Sequence, residues 1–492
     1  MASTHTGLPF SKTNDVTEKL VAAGLRQRIL FPNSQEFVAR NNSYWCNNAK
    51  LNPACIIQPL SAEEVAVTVA ALATSDQQFA IRGGGHSNWA GSNNIDGGIT
   101  LDLGLLNTTK YDPATELAHI EPGSKWKDVY AELGKHERVV AGAREAEVGV
   151  GGFLLGGGNT FYTSHNGLAC DNVVAYQVVL ADGRIVSAEG EGEHRDLFRA
   201  LKGGGNNFGI VTRFTMLSLP SGPVWGGLVL RPLDTFPAAA DALVEFTAKS
   251  DEEPDSNLNL VVGHQPNFGG DVVISICNNM AAQETPPLLQ RTLSLPETMS
   301  NIRIHTLQEI LAYTSLPQGY YNVWYTITIT NNASIMLKAA ELHKELAAQL
   351  QVAITDQDFT SHISFQPLSR VVIDSSRKVN PSGNVLGLEQ DLQDRILLQV
   401  AASVRTAQLK DWVEPRVRHI VDQLQLFAEA MGHSQDNPWI YLNYAHPSQK
   451  VLQSYGPENV SFIRQVAVKY DPSGIFQRLC PGGFKISSIS EA

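Results

Sequence analysis

The residues best placed to do chemistry gather around glycine. In the stretch AIRGGGHSNWAGS, Ala80 to Ser92, three glycines run directly into His86. Glycine lets the backbone approach a ligand closely and turn its N–H groups inward as an anion-binding nest. Such a clearing would let an imidazole touch a bound planar cofactor, and an imidazole can bond covalently to an electrophilic carbon. Two other readings of His86 stand beside this one. A zinc ligand would want partners at short spacing, and no H-x-H, H-x₃-H or C-x-x-C lies nearby. A histidine with a purely structural place is the third.

Two further glycine clusters follow, GVGGFLLGGG from Gly149 and KGGGNNFG from Lys202. Three clusters, each beside an expected strand, point to a large phosphate-bearing cofactor more than to tight turns alone. The common nucleotide motifs do not fit. The sixth position of G-x-G-x-x-G falls on Leu154, and no G-K-[ST] occurs.

Two aromatic stretches offer groups for a substrate. In IYLNYAHPS, read as a strand, Tyr441 and Asn443 share one face and Tyr444 takes the other. These three are candidate catalytic residues, with His446 as a further possible base; buried-strand packing is the competing reading. In GYYNVWYTITITNN, Tyr321, Val323, Tyr325 and Ile327 share one strand face, and Tyr320, Asn322, Trp324 and Thr326 share the other. Tyr321, Trp324 and Tyr325 are the substrate candidates, because flat apolar molecules suit aromatic walls.

The elements that must position these residues can be read from pattern. SAEEVAVTVAALATSD opens with a capping box, Ser61 to Glu64, and places Val65, Val69 and Leu72 on one helical face. QFAIR and ITLDL read as strands flanking the first glycine loop. Asp182-Gly183 between two β-rich runs predicts a hairpin. After SLPSGPVWGG the glycine loops become scarce, and strands alternate with long amphipathic helices such as NASIMLKAAELHKELAAQLQ. The expected organisation is a lead-in over 1–50, a cofactor domain over 51–218, a substrate domain over 219–432 and a C-terminal segment over 433–492.

Composition narrows the class. The chain has 492 residues, and 37 Lys and Arg against 49 Asp and Glu give a net charge of −12. A chain this long buries a large core in more than one domain. Its acidity argues against nucleic-acid binding. No run of about 18 apolar residues appears, so no membrane span is expected. No secretory leader is read at the N-terminus, so a cytoplasmic place is expected. Five cysteines make no disulfide framework, although Cys46 and Cys55 are near enough in sequence to pair.

Taken together, the motifs carry a resemblance. RGGGH at Arg82–His86 resembles the R-x-G-G-H motif of the vanillyl-alcohol oxidase and p-cresol methylhydroxylase (PCMH-type) flavoprotein superfamily. YWCNNAKLNPACIIQPLSAEEVA, VGVGGFLLGGGNTFYTSHNGLACDNVV, LFRALKGGGNNFGIVTRF and YGPENVSFIRQVAVKYDPSGIF extend it along the chain, towards the berberine-bridge-enzyme-like, fungal secondary-metabolism branch. The resemblance implies an α+β fold of two lobes: a PCMH-type FAD-binding domain, and a substrate domain whose antiparallel sheet is backed by helices. It implies FAD joined covalently through His86, which would make the flavin a stronger oxidant. It implies cofactor contacts at Arg82, Gly83, Gly84, Gly85, Ser87, Gly149, Gly151, Gly152, Gly157, Asn159, Gly209, Ile210 and Asn443. Some members attach FAD a second time, through a cysteine just before the V-G-x-G-G run. Here Glu145 stands near that place, which implies a single covalent bond and a lower flavin potential than doubly attached relatives have. The implied activity is an FAD-dependent oxidoreductase acting on a small secondary metabolite, with dioxygen as acceptor. A carbohydrate oxidase, and a flavoprotein using its pocket for isomerisation or cyclisation, are the alternatives.

Overall fold

The computed structural model describes residues 9–313, 316–390, 392–433 and 438–489. Residues 1–8 of the expected lead-in, 314, 315 and 391 of the expected substrate domain, and 434–437 and 490–492 of the expected C-terminal segment lie outside these ranges. The first sheet is small. It joins β1 (Ile29–Leu30), β2 (Cys55–Ile57), β3 (Phe79–Arg82) and β4 (Ile99–Asp102) in the order β1-β2-β4-β3. The β2, β3 and β4 strands pair in parallel, and helix α1 (Ala62–Thr74) makes the crossover between β2 and β3. The buried side chains of β2 and β4 are what a parallel sheet covered on both faces requires. Ser61 caps α1 by accepting from the Glu64 N–H. The Glu64 carboxylate reaches the Leu60 N–H and Arg28 rather than closing the expected box on Ser61.

The second sheet is antiparallel throughout. It joins β5 (Thr109–Asp112), β6 (Leu117–Ile120), β7 (Val173–Val179), β8 (Ile185–Glu189) and β9 (Ile210–Leu217) in the order β5-β6-β9-β7-β8. The β7–β8 hairpin turns at Asp182-Gly183, where Gly183 has φ +83° and the Asp182 carboxylate accepts from the Arg184 N–H. The glycine loops leave the two sheets on one side and meet there.

The third sheet is the largest. It orders β10 (Val224–Arg231), β11 (Ser256–Gln265), β12 (Gly270–Asn279), β13 (Tyr321–Thr330), β14 (Thr360–Leu368) and β15 (Arg395–Val404) as β10-β12-β11-β14-β15-β13, all antiparallel. Helices α2 (Phe236–Ala248), α3 (Ala333–Ala353) and α4 (Ala407–Ala430) cover one face. Leu258, Leu260, Val323, Ile327, Ile363, Phe365, Leu398 and Val400 fill the core between that face and the helices. The opposite face is turned towards the glycine loops. The expected α+β architecture, with an antiparallel sheet backed by helices, is the one observed.

Candidate active site

A cavity of about 450 Å³ lies between the glycine loops and the open face of the third sheet. That volume falls in the range of small-molecule and cofactor sites. Three parts of the chain wall it: the loops around Gly83–Asn88, Glu145–Phe153 and Gly205–Ile210, the sheet residues Asn259, Trp324, His362, Ser364, Gln366 and Gln399, and the C-terminal residues Tyr441–Ala445, Gly483 and Phe484.

The first two loops are fitted to each other by glycine. A Cβ on Gly84 would collide with the backbone of Gly149, and one on Gly149 would come within 2.5 Å of the Gly84 backbone. No side chain can be inserted there without separating the loops. Gly85 lies in the left-handed region at φ +74°, with the Arg82 guanidinium beneath it.

His86 emerges from this clearing with a side chain only 10% exposed. Its ring stacks on Trp45 at 4.4 Å and 10°. Its Nε2 lies 3.5 Å from the Glu145 carboxylate. Burial pushes the imidazole down to about 4, so the ring is neutral at physiological pH. Burial also raises the Glu145 carboxyl, against the pull of two backbone donors. Those donors are the N–H groups of Glu147 and Val148, each 2.8 Å from one carboxylate oxygen. The other Glu145 oxygen is buried and accepts no hydrogen bond.

An aromatic chain leads from His86 into the sheet side. Trp45 lies 5.3 Å from Trp324, Trp324 lies 6.1 Å edge-on to Tyr444, and Tyr444 lies 4.8 Å edge-on to Tyr441. A polar group crosses it. Arg144 Nη2 donates to Gln366 Oε1 at 2.5 Å and to the Tyr444 hydroxyl at 3.3 Å. Gln366 Nε2 also donates to Tyr444, at 3.4 Å. With its amide oriented to pair, Asn259 accepts from Arg144 Nη1 at 3.0 Å.

The expected site residues divide under this geometry. Gly83, Gly84, Gly85, His86, Ser87, Gly149, Gly151, Gly152, Asn159, Gly209, Ile210, Asn443, Tyr441, Tyr444 and Trp324 all line the cavity. Arg82 does not. Its guanidinium is 1% exposed, donates to the Arg40 carbonyl and Ser43, and lies over the Tyr44 ring at 3.6 Å, so it braces the loop from behind. Gly157 also lies off the cavity wall, against Leu168 and Leu386. Tyr321 and Tyr325 point the other way, into the layer between sheet and helices. Tyr325 stacks on His446 at 4.2 Å, and His446 lies beside Glu414, so this histidine is not at the cavity.

The strand expected over IYLNYAHPS is absent. Leu442–Tyr444 is a 3-10 turn, closed by Tyr444 N–H on Tyr441 O and Ala445 N–H on Leu442 O. The turn brings Tyr441 and Tyr444 together where an extended strand would have parted them. The two then differ in what they touch. The Tyr441 oxygen accepts from the Asn159 N–H at 2.7 Å and from Asn443 Nδ2 at 3.1 Å, and burial raises its ionisation. Tyr441 thus ties two loops together, whereas the Tyr444 hydroxyl sits among Arg144 and Gln366.

Sequence reading missed Trp45, Arg144, Asn259, His362 and Gln366. The polar alternation His362, Ser364, Gln366 against buried Ile363 and Phe365 in TSHISFQPL was the available signal for the last two. Cys46 and Cys55 are both buried free thiols, in separate clusters, and do not pair. Among the described residues no group of three His, Cys, Asp or Glu could hold a metal ion, and no helix is long and apolar enough to cross a membrane.

Comparison with known proteins now bears on this cavity. Residues 53–189 match a family model described as an FAD binding domain. The FAD-dependent monooxygenase sdcF of Emericella nidulans is 35% identical over 479 residues, covering 93% of this chain and 96% of the relative. The chain belongs to the PCMH-type FAD-linked oxidoreductases. Within that family its fold is that of the berberine-bridge-like branch. The solved structure of berberine bridge enzyme superposes with a TM-score of 0.75 at 17% identity, covering 97% of this chain and 100% of that one. Glucooligosaccharide oxidase from Acremonium strictum, described with a 6-S-cysteinyl, 8α-N1-histidyl FAD, gives a TM-score of 0.74 at 18% identity, covering 94% of this chain and 98% of that one.

The cavity of this FAD-linked oxidoreductase fits its cofactor. Interlocked glycine loops leave backbone bare along one wall. A buried imidazole whose Nε2 has no hydrogen-bond partner faces the same space. Trp89 and Phe484, 5.7 Å apart, add an apolar surface at the Asn206 end. The chain is an FAD-dependent oxidoreductase, and its relatives include fungal FAD-dependent monooxygenases at 33–35% identity.

Proposed function

We propose that the enzyme oxidises a small, flat secondary metabolite at a C–H bond next to a hydroxyl or enol, with Tyr444 taking the proton. FAD, when bound, supplies the hydride acceptor. Tyr444 carries this reading because its hydroxyl faces the cavity while held between Arg144 and Gln366. The guanidinium lies where it stabilises negative charge developing at that oxygen, and Gln366 fixes where the oxygen points. Trp324, Phe161 and Leu316 line the same space and exclude water from it. His86 is the covalent anchor, with no second anchor on the facing loop because Glu145 stands there.

Electrons then leave to dioxygen. Release of hydrogen peroxide, one per substrate oxidised, with no label from ¹⁸O₂ in the product, supports an oxidase. The names of the curated relatives favour a second reading, a monooxygenase, in which one labelled oxygen enters the product and little peroxide appears. Turnover without any acceptor would overturn both.

A further inference from the structure

We propose that Glu145 is the positioning residue for attachment of FAD to His86: its carboxylate takes the imidazole proton as the bond to the flavin forms. This rests on the reading of His86 as the covalent anchor. Three observations lead to it. The Glu145 carboxylate lies 3.5 Å from His86 Nε2, with 13% of its side chain exposed. It is aimed by its own loop, since the N–H groups of Glu147 and Val148 both donate to Oε2, the same oxygen that lies 3.5 Å from His86 Nε2. The imidazole cannot swing away from it, because Trp45 stacks flat on the ring.

A carboxylate 3.5 Å from Nε2 favours the tautomer that carries its hydrogen there, although Nε2 makes no hydrogen bond in this structure. The Nδ1 lone pair is then free for carbon. A C–H bond of the 8α-methyl breaks: its proton passes to solvent, and its electron pair reduces the isoalloxazine by two electrons. Nδ1 forms the new bond to that carbon. The Nε2 proton passes to Glu145 and on to solvent, leaving a neutral alkylated imidazole. Dioxygen then reoxidises the flavin and is reduced to hydrogen peroxide. In this chain a carboxylate thus stands where doubly attached relatives carry a second bond, and it serves the first.

The test is a time course of covalent attachment. Apoprotein is mixed with FAD in air, samples are precipitated with acid, and the flavin remaining in the pellet is measured by absorbance and by intact mass. Glu145→Gln keeps an oxygen for the Glu147 and Val148 donors but cannot take the proton. The expected result is attachment slowed at least about tenfold, about 1.4 kcal/mol by the rate relation, while FAD is still bound and released by acid. Glu145→Ala should behave likewise and recover part of the rate when sodium formate is added, which a merely structural role would not allow. Attachment in Glu145→Gln at the wild-type rate overturns the proposal and leaves His86 as the anchor. Wild-type protein that releases all its flavin to acid overturns the anchor and the proposal together.

Discussion

At the scale of the residue, two tyrosines one turn apart have been given different work by what surrounds them. Tyr444→Phe removes the hydroxyl held by Arg144 and Gln366. Anaerobic stopped-flow should show flavin reduction slowed about 10²–10⁴-fold, the usual worth of a positioned proton acceptor, with substrate affinity little changed. Tyr441→Phe should leave the reduction rate within a few-fold but remove the acceptor for the Asn159 N–H, lowering stability by about 1–3 kcal/mol. Reversal of the two results would move the proton acceptor to Tyr441. The place of His86 on the cavity wall was legible in the sequence because three glycines before a bulky polar residue clear a space around it. Arg144 and Gln366 were not, since a single arginine or glutamine in a chain says nothing about what it meets 222 residues away.

At the scale of the element, the third sheet separates two kinds of histidine. His362 in β14 faces the cavity, while His343 in α3 meets Ser361 from the helix side at 3.1 Å. His362, His264 and Asp271 are the titratable neighbours of His343. Burial holds both His343 and His362 at about 4, below the ordinary value of 6.5. Their folded-state values are depressed, so the unfolded chain binds more protons between those limits. Stability from this source is complete above pH 6.5 and is lost as pH falls towards 4, by up to ~1.4 kcal/mol per pH unit for each ring. Urea midpoints should fall across that window, and His343→Gln should flatten the fall; an unchanged slope would remove His343 from the account. The Asp182-Gly183 hairpin and the strands around the first glycine loop could be read in advance, because turn chemistry and buried β-branched runs are local. The 3-10 turn at Leu442–Tyr444 could not, because period-two reasoning presumes an extended chain, and this turn is stabilised by loops distant in sequence.

At the scale of the whole molecule, the cofactor cleft is assembled from segments that are far apart in the chain. The acidic composition, the change of texture after residue 218 and the sheet backed by helices were all visible in the sequence; the face that each strand of that sheet presents to the cleft required the fold. Because cofactor binds only the assembled form, free FAD should stabilise His86→Ala by mass action. The expected gain is about 2.7 kcal/mol at a hundredfold excess over Kd, seen as a Tm that climbs with FAD concentration. A Tm indifferent to FAD would mean that the cleft is not where FAD binds. The wall near Asn206 has a consequence for how the protein is made. Asn206 donates to the Gly482 carbonyl, Asn207 donates to the Phe484 carbonyl, and Gly483 and Phe484 complete the cleft there. A nascent chain has its glycine loops long before it has that wall. The cleft is therefore complete on that side only once the C-terminal segment has folded back onto the Asn206–Asn207 loop.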